Sequence, residues 1–298
     1  MKLKKQLWTL ALAMTVGMSL NACAKKEAPK PAQQESSVKQ ESSVKQEEPK
    51  EDKNELTDLQ LIARENAMAV AWFQTSGEKD ALFLQGYNLA SMKLKEKIKE
   101  TSDKPYSIVL DLDETVLDNG PYQAQNIKEG KEYDPKTWNE WCKAAQAKAV
   151  AGAKDFLNMA NENNVEIYYI SDRDEAVLDD TIKNLENEGI PVQARDRVML
   201  KNKDDKSGKK NRREAVEAKS KLILLFGDNL SDFGEFSKKS VAERNNTVSE
   251  QAKEFGDRYI IFPNPMYGSF ESSIYEGKKD LTPKQKMDMR LKSLHYWK

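Results

Sequence analysis

The chain has 298 residues, of which 33% are charged, and its 48 Lys and Arg nearly balance its 49 Asp and Glu. This balance argues against a nucleic-acid polymer as a partner, because proteins that bind one carry a basic excess or stripe. The two cysteines and the single His295 exclude a multi-bridge disulfide framework and most mechanisms that need a His pair or a His-rich zinc site.

Residues 1–22 have the pattern of an export signal. Lysines precede an apolar segment over residues 7–20, which is too short to span a membrane. The segment ends in Leu-Asn-Ala-Cys, which resembles a bacterial lipobox, and this resemblance implies that Cys23 is diacylated and begins the mature protein. The alternative is an ordinary signal peptide with an incidental Cys. Lipidation leaves Cys142 alone, and we expect it to be a small buried side chain.

The next segment, residues 24–54, consists mostly of Lys, Glu, Gln, Ser and Pro and contains the tandem QESSVKQESSVK. Such a composition cannot bury a core and predicts disorder. A coil of this length spans roughly 30 Å between its ends, and two acyl chains provide stable anchoring. We therefore predict that residues 23–55 tether an extracytoplasmic domain to a membrane at the bacterial cell surface, without a choice between the cytoplasmic and the outer membrane.

The remaining residues, 56–298, have the size of one α/β domain with additions. Apolar residues at helical intervals predict a helical part over 56–100, and a Glu- and Lys-rich tail over 276–298 predicts a solvated helix. Between them, in an α/β core over 105–275, helical patterns alternate with β-rich runs that are apolar on both faces, at 107–113, 165–172, 221–228 and 258–264. This alternation predicts a doubly wound parallel sheet with right-handed crossovers.

Polar residues end these β-rich runs, and in such folds ligands bind outside the carboxyl ends of the strands. We therefore expect Asp111, Asp113, Ser171 and Asp228 to converge. Carboxylates about 4 Å apart repel by roughly 4 kcal/mol at an effective dielectric near 20, so a bound cation is needed to hold them together. Oxygen ligands without His or Cys indicate Mg²⁺ or a similar hard cation.

This set of groups is suited to phosphoryl transfer. A carboxylate beside Mg²⁺ can attack phosphorus, and a second carboxylate two residues away can transfer protons. The reaction also needs donors for the phosphoryl oxygens. Ser171 offers a hydroxyl, and a lysine from the segment DDKSGKKNRRE can supply positive charge.

The motifs that carry these residues resemble those of a known family. Residues 111–115, DLDET, fit the D-x-D-x-[TV] motif of the haloacid dehalogenase (HAD) phosphohydrolases. With YYISDRD, DDKSGKKNRRE, FGDNLSDFGEF and FPNPMYGSFE in this order, residues 72–270 resemble a class C nonspecific acid phosphatase, a family of bacterial surface lipoproteins. A lone DxD is unspecific, whereas the ordered set is specific. The resemblance implies a HAD-like doubly wound sheet with a smaller helical cap or side domain.

For the reaction centre, the resemblance implies that Asp111 is the nucleophile and Asp113 the general acid and then base. Mg²⁺ would be held by Asp111, the backbone carbonyl of Asp113 and Asp228, with Asp232 as a fourth aspartate near the metal. The alternative for Asp232 is a helix cap. We assign no catalytic role to Glu114 and expect it to brace the loop.

For the substrate, the resemblance implies that Ser171 and Lys209 bind the phosphoryl group, and that Trp138 and Tyr267 stack on a nucleotide base. Lys209 also fits a solvated helix start, with Lys206 and Lys210 as neighbouring candidates, and either aromatic side chain fits a helical or core contact. Asp172 stands where the family often has Asn, and its role is open.

The implied activity is Mg²⁺-dependent hydrolysis of phosphate monoesters, including nucleoside 5′-monophosphates, through an aspartyl phosphate at acidic pH. One alternative is a surface lipoprotein that binds a nucleotide without turnover. Another is a phosphotransferase that uses the same intermediate. The sequence leaves the preferred substrate and the oligomeric state open, with a dimer as one option.

Overall fold

Short runs rich in β-branched, Leu and aromatic residues form the strands of the structure, a computed structural model that describes residues 55–298 apart from 206 and 237. The predicted export signal, the lipidation site Cys23 and nearly all of the predicted tether lie outside the described residues. In chain order the strands are β1 (Tyr106–Leu110), β2 (Leu117–Asp118), β3 (Lys148–Ala149), β4 (Glu166–Asp174), β5 (Val198–Lys201), β6 (Lys221–Gly227) and β7 (Tyr259–Ile261).

Five of these strands form one parallel sheet in the order β5-β4-β1-β6-β7, and β2 pairs with β3 in a small antiparallel sheet. The four strands predicted from sequence are all present. Strand β5 was not predicted, because Val198–Lys201 is a run of four residues between charged segments. Its pairing to β4 places it at the edge of the sheet.

Helices cover the sheet and extend beyond it. They are α1 (Asp58–Glu65), α2 (Ala67–Thr75), α3 (Gly77–Lys97), α4 (Gly120–Glu129), α5 (Pro135–Ala144), α6 (Ala153–Glu162), α7 (Leu178–Asn187), α8 (Lys210–Lys219), α9 (Val241–Glu250), α10 (Ser269–Ile274) and α11 (Pro283–Lys292). Helix α3 packs on β6, β7 and α6, whereas α1, α2 and α4 pack on one another and α11 packs on α1. The predicted α/β fold with a smaller helical part is therefore confirmed.

The start of the predicted helical part is divided into two helices. The chain breaks at Asn66 between α1 and α2, and Leu59 and Met68, two of the apolar residues in the helical pattern, are 41% and 79% exposed. The break changes which helix face meets the core, so a single periodicity cannot describe both segments.

Aromatic packing fixes α3 against the sheet. The Phe83 ring stacks on Phe262 with centroids 4.7 Å apart, and Tyr87 packs on Phe226. The Tyr87 hydroxyl donates a hydrogen bond of 2.6 Å to the carbonyl of Thr115, in the loop that follows β1. Helix α3 is thereby hydrogen-bonded to the loop and helps to fix its position. No described helix combines the length and the apolar character needed to cross a bilayer.

Candidate active site

The strand order creates a crevice at the carboxyl end of β1. Strands β4 and β5 lie on one side of β1, and strands β6 and β7 lie on the other. The direction in which the chain adds strands to the sheet therefore reverses at β1. Ligands bind at such a switch point in open α/β sheets. The backbone N–H of Asp111 donates to the carbonyl of Phe226 at 3.0 Å, which continues the ladder to β6 and holds Asp111 at this edge.

Three carboxylates meet in this crevice. Asp111, Asp228 and Asp232 each offer an oxygen, and these oxygens all lie within 4.8 Å of one another. Burial raises the pKa of Asp111, and the neighbouring Asp232 and Asp228 raise it further, against the lowering effect of the Lys209 ammonium. Burial and the charge of Asp232 raise the pKa of Asp228 to about 7, although a 2.7 Å hydrogen bond from Asn264 Nδ2 opposes this. The three carboxylates of the cluster therefore face only one ammonium group, that of Lys209, among the described residues.

Asp232 is held by the turn that follows β6. Its Oδ2 accepts from the backbone N–H of Asn229 at 3.0 Å, and Asn229 Oδ1 accepts from the N–H of Ser231 at 3.2 Å. This reciprocal arrangement caps a short 3₁₀ turn, Leu230–Asp232. The other oxygen of Asp232 accepts from Lys209 Nζ at 2.6 Å. One carboxylate oxygen of Asp232 therefore caps the turn, and the other faces Lys209 in the crevice.

Asp113 faces a different set of partners. Its Oδ1 accepts from Arg173 Nε at 2.9 Å, Arg173 Nη2 at 2.8 Å and Asn119 Nδ2 at 2.9 Å. Its Oδ2 accepts from the hydroxyl of Ser171 at 3.3 Å. The side chain of Arg173 is fully buried, and burial works to lower its pKa, but the charge of Asp113 outweighs this and raises it. Asp113 is thus held by a fixed cation.

Sequence reasoning missed Arg173 and Asn119. Strand β4 continues to Asp174, so Ser171 and Arg173 are two residues apart on one strand and point to the same side. The sequence offered one signal for Arg173, namely a charged residue two positions after Ser171, which places both side chains on the same side of an extended strand. Asn119 ends the motif DLDETVLDN, and its Oδ1 accepts from the indole of Trp141 at 2.8 Å. The indole of Trp141 therefore holds Asn119 in the loop between β1 and α4.

Lys209 lies between two of the aspartates. Its ammonium group donates to Asp111 as well as to Asp232, and its side chain is 8% exposed. Burial works to lower its pKa, but Asp111 and Asp232 outweigh this and raise it, so Lys209 is a permanent cation. Of the three neighbouring lysines considered, Lys210 instead pairs with the exposed Glu235, and Lys206 lies outside the described residues.

Arg212 connects the strands to the segment that carries Lys209. Its guanidinium donates to the carbonyls of Ser171 at 2.6 Å and Met199 at 2.9 Å, and to Asp172 at 2.9 Å. It also lies 3.1 Å from Asp205. Asp172, whose role the sequence left open, is therefore one acceptor of this clamp. Its side chain is 57% exposed and lines the cavity described below.

Glu114 is fully buried behind the two aspartates with a φ of 56°. Its Oε1 accepts from the backbone N–H of Asn119 at 2.7 Å, which closes the loop between β1 and α4. Burial raises the pKa of Glu114, and the charge of Asp113 adds to this effect. These contacts agree with the expected bracing role.

A cavity of about 590 Å³ opens from the aspartates. Trp138 and Tyr267 both line it. Trp138 is only 9% exposed and packs edge to face against Tyr122, with centroids 5.0 Å apart, so it is also a core residue. Tyr133, which sequence reasoning did not select, is 61% exposed at the same cavity. The pocket thus combines acidic, basic and aromatic walls.

The donor set of the three-aspartate cluster fits a hard divalent cation. All of the offered atoms are carboxylate oxygens, which Mg²⁺ and similar ions prefer. The cluster gathers more negative charge than Lys209 neutralises, and a divalent ion would supply the difference. An acidic cluster of this kind at the switch point of a parallel sheet, with an aspartate two residues away held by Arg173, is suited to phosphoryl transfer.

Comparisons with known proteins give the family. Residues 30–270 match the family described as HAD superfamily, subfamily IIIB (Acid phosphatase). The solved structure of the class C acid phosphatase from Bacillus anthracis is 43% identical over 80% of this chain and 99% of its own, with a TM-score of 0.76. A structure of that enzyme with tungstate bound is also 43% identical, over 80% and 100% of the two chains, with a TM-score of 0.77. The chain belongs to this acid phosphatase family.

Proposed function

We propose that this acid phosphatase is a Mg²⁺-dependent enzyme that hydrolyses phosphate monoesters, including nucleoside 5′-monophosphates, through an aspartyl phosphate on Asp111. The observation that carries the proposal is the pair of environments at the end of β1. Asp111 lies with Lys209, Asp228 and Asp232, whereas Asp113, two residues on, is held by Arg173. Two carboxylates in separate environments can take two roles.

In the first half-reaction, a carboxylate oxygen of Asp111 attacks phosphorus and the bond from phosphorus to the ester oxygen breaks. Asp113 gives its proton to the departing alkoxide, which leaves as the alcohol. The proposal includes activity at acidic pH, where a proton for the leaving group is readily supplied. Arg173 and Asn119 keep Asp113 oriented toward this task.

In the second half-reaction, water attacks phosphorus of the aspartyl phosphate, and Asp113 takes the proton from the water. The bond from phosphorus to Asp111 breaks, so inorganic phosphate leaves and the carboxylate of Asp111 is restored. Lys209 provides fixed positive charge next to Asp111 throughout. Ser171 is placed by the same proposal near the phosphoryl group, and its buried hydroxyl already contacts Asp113.

Asp111, Asp228 and Asp232 would hold the metal, together with the backbone carbonyl of Asp113. When bound, Mg²⁺ supplies charge that stabilises the negative phosphoryl oxygens. The tungstate-bound structure from Bacillus anthracis supports an oxyanion site in this family, because tungstate is tetrahedral like phosphate.

Nucleoside monophosphates are proposed as substrates because aromatic side chains line the cavity that begins at the aspartates. Tyr267 and Trp138 lie on its wall together with the exposed Tyr133. Stacking of one base on an aromatic ring contributes roughly 1–3 kcal/mol. This is sufficient for a preference among phosphate monoesters without strict specificity.

The mechanism is tested with a panel of phosphate monoesters assayed with and without Mg²⁺ at about pH 5 and about pH 7. We expect Asp111→Asn to lower turnover at least about a thousandfold, and EDTA to abolish it until Mg²⁺ is restored. Asp155→Asn, at an exposed position on α6, is the matched control. Full activity of Asp111→Asn, or of the EDTA-treated enzyme, would refute the mechanism.

We also propose that the enzyme is a lipoprotein of the bacterial cell surface, acylated at Cys23. The support is the export pattern of residues 1–22, the lipobox-like LNAC and the polar segment that follows. Mass spectrometry of the mature N-terminus should find a diacylated Cys23, and Cys23→Ala should release the enzyme from membranes. An unmodified Cys23 within a retained or differently cleaved N-terminus would disprove this.

A further inference from the structure

Helix α11 has no buried residue, yet two of its cations join it to the rest of the domain. Lys286 Nζ lies 2.7 Å from Glu132 Oε1. Arg290 donates through Nη1 to Glu65 Oε2 at 2.7 Å and through Nη2 to Glu271. These ion pairs connect the outermost helix to three different places in the fold.

All three acceptors belong to the wall of the cavity at the active site. Glu65 ends α1, Glu132 lies in the loop between α4 and α5, and Glu271 lies on α10. Arg290 itself lines the cavity as well. Three separate elements of the wall are therefore tied to one helix, and through it to each other.

Arg290 makes the most extensive of these ties. Its Nε donates to the hydroxyl of Tyr275 at 2.9 Å, and that hydroxyl in turn hydrogen-bonds to Glu271 Oε1 at 2.5 Å. A planar guanidinium spreads its donors over Nε, Nη1 and Nη2 in a rigid fork, so it can reach separated acceptors in a fixed geometry that the compact ammonium of a lysine does not reproduce. Without Arg290, the carboxylates of Glu65 and Glu271 would lose the cation they share and would repel each other.

The magnitude of such pairs indicates a role in shape more than in stability. The side chains involved are 26% to 37% exposed, and ion pairs at such exposed positions contribute little to folding. Their effect is instead on the relative position of the wall elements that they join. No residue of α11 is buried, so these ion pairs are the specific contacts that fix how α11 lies on α1 and on the wall.

We propose that Arg290 and Lys286 are positioning residues that hold the outer wall of the cavity and thereby set its selectivity for phosphate monoesters with large leaving groups. This rests on the proposed nucleotidase function. A small ester occupies the aspartate end of the cavity, whereas a nucleoside reaches the outer wall. Loosening the wall should therefore affect the binding of the large substrate and leave the chemical step intact.

The test compares KM and kcat for adenosine 5′-monophosphate and phenyl phosphate. Arg290→Met should raise KM for the nucleotide about threefold to fivefold, with kcat and the KM for phenyl phosphate changed less than about twofold. Arg290→Lys should give an intermediate KM. Lys284→Met is the control, because Lys284 pairs with Asp288 within α11 and makes no ion pair to another element among residues 55–298 that the structure describes.

Three outcomes would overturn the proposal. These are equal KM changes for both substrates, a loss confined to kcat, or an effect of Lys284→Met as large as that of Arg290→Met. If Arg290→Met fails to fold, Tyr275→Phe, which removes one acceptor, should still raise KM for the nucleotide selectively, and unchanged selectivity there counts against the proposal.

The nucleotidase proposal fails separately, if the unmodified enzyme hydrolyses phenyl phosphate and not adenosine 5′-monophosphate. In that case 1-naphthyl phosphate takes the place of the large substrate. A selective rise in its KM with Arg290→Met would support the wall role, and an unselective one would refute it.

Discussion

Gly227, the last residue of β6, stands where the chain approaches Asp232 most closely. A Cβ atom at this position would lie 2.2 Å from Asp232 Oδ2 and 2.4 Å from Asp232 Cβ. No side chain contact of this length exists in proteins, so a larger residue must displace Asp232. The absence of a side chain at Gly227 therefore leaves the room that Asp232 needs to lie beside Asp111 and Asp228.

Gly227→Ala should weaken Mg²⁺ binding, because the displaced Asp232 no longer completes the cluster. We expect the Mg²⁺ concentration for half-maximal activity to rise about tenfold or more, the loss typical of a disturbed support of a metal ligand. Gly77→Ala is the control, since an added Cβ there meets nothing within 4 Å. An unchanged Mg²⁺ requirement would show that Asp232 is not needed for the metal.

The different environments of the Asp111 and Asp113 carboxylates each depend on one cationic side chain. Lys209 faces the first, and Arg173 faces the second. Sequence analysis placed both aspartates and the lysine, but it offered no partner for Asp113. That partner lies 60 positions away in the chain, and only the pairing of β1 with β4 brings the two together.

At the scale of elements, α7 is tied to the small β2–β3 sheet. Glu188, the C-cap residue of α7, accepts from the backbone N–H of Ala149 at 3.1 Å and pairs with Lys148 at 2.9 Å. Burial raises the pKa of Glu188, but Lys148 and the Ala149 N–H outweigh this and lower it. The ionised carboxylate is thus favoured in the folded state.

Glu188→Gln should lower the free energy of unfolding by about 0.5–1 kcal/mol near pH 7. A lowered folded-state pKa stabilises the fold above the ordinary glutamate value of about 4.3, and this contribution disappears as the pH falls through the folded-state value. Urea unfolding at about pH 7 and about pH 3 measures both limits. Glu186→Gln, exposed on the same helix, is the control, and a difference that persists at low pH would contradict the argument.

The ends of helices and strands are predicted less well by sequence patterns than the presence of these elements. The predicted helical part is interrupted at Asn66, and β4 runs two residues beyond the predicted end. The extension matters for function, because it keeps Arg173 in strand geometry beside Ser171. Cys142 was predicted to be a buried apolar side chain, which is confirmed by its 1% exposure on α5, and burial raises the pKa of its thiol to about 12.

At the scale of the whole molecule, the acidic cluster opposes folding by the charge that Lys209 leaves uncompensated. Asp111 follows β1, whereas Asp228 and Asp232 follow the neighbouring β6, so their mutual repulsion acts between the two central strands of the fold. A ligand that binds only the folded state stabilises it by about 2.7 kcal/mol at a concentration of 100 times its Kd.

Saturating Mg²⁺ should therefore raise the melting temperature by about 5 °C or more, given roughly 2–4 °C per kcal/mol for a domain of this size. In Asp228→Asn the rise should be reduced to about 1 °C or less, because a ligand and a charge are lost. Differential scanning calorimetry with and without Mg²⁺ measures this, with Asp155→Asn as the control. Equal shifts in all three proteins would place the metal elsewhere.

The sequence by itself determined the fold class, the four main strands and the identity of the aspartates, because these depend on local patterns. A buried parallel strand needs a continuous apolar run, and carboxylates at its end show directly in the sequence. The order of motifs was sufficient to indicate the acid phosphatase family, which the comparisons then showed.

The tertiary structure alone decided which partners each group has. The Arg173–Asp113 pair, the Arg212 clamp and the ties from Arg290 to Glu65 and Glu271 join residues far apart in the chain. A surface arginine and a buried one look the same in a sequence, because charge is a property of the residue whereas burial and partner are properties of the packing. For this reason the wall of the cavity, with Tyr133 and the ion pairs that join helix α11 to it, emerged only from the folded chain.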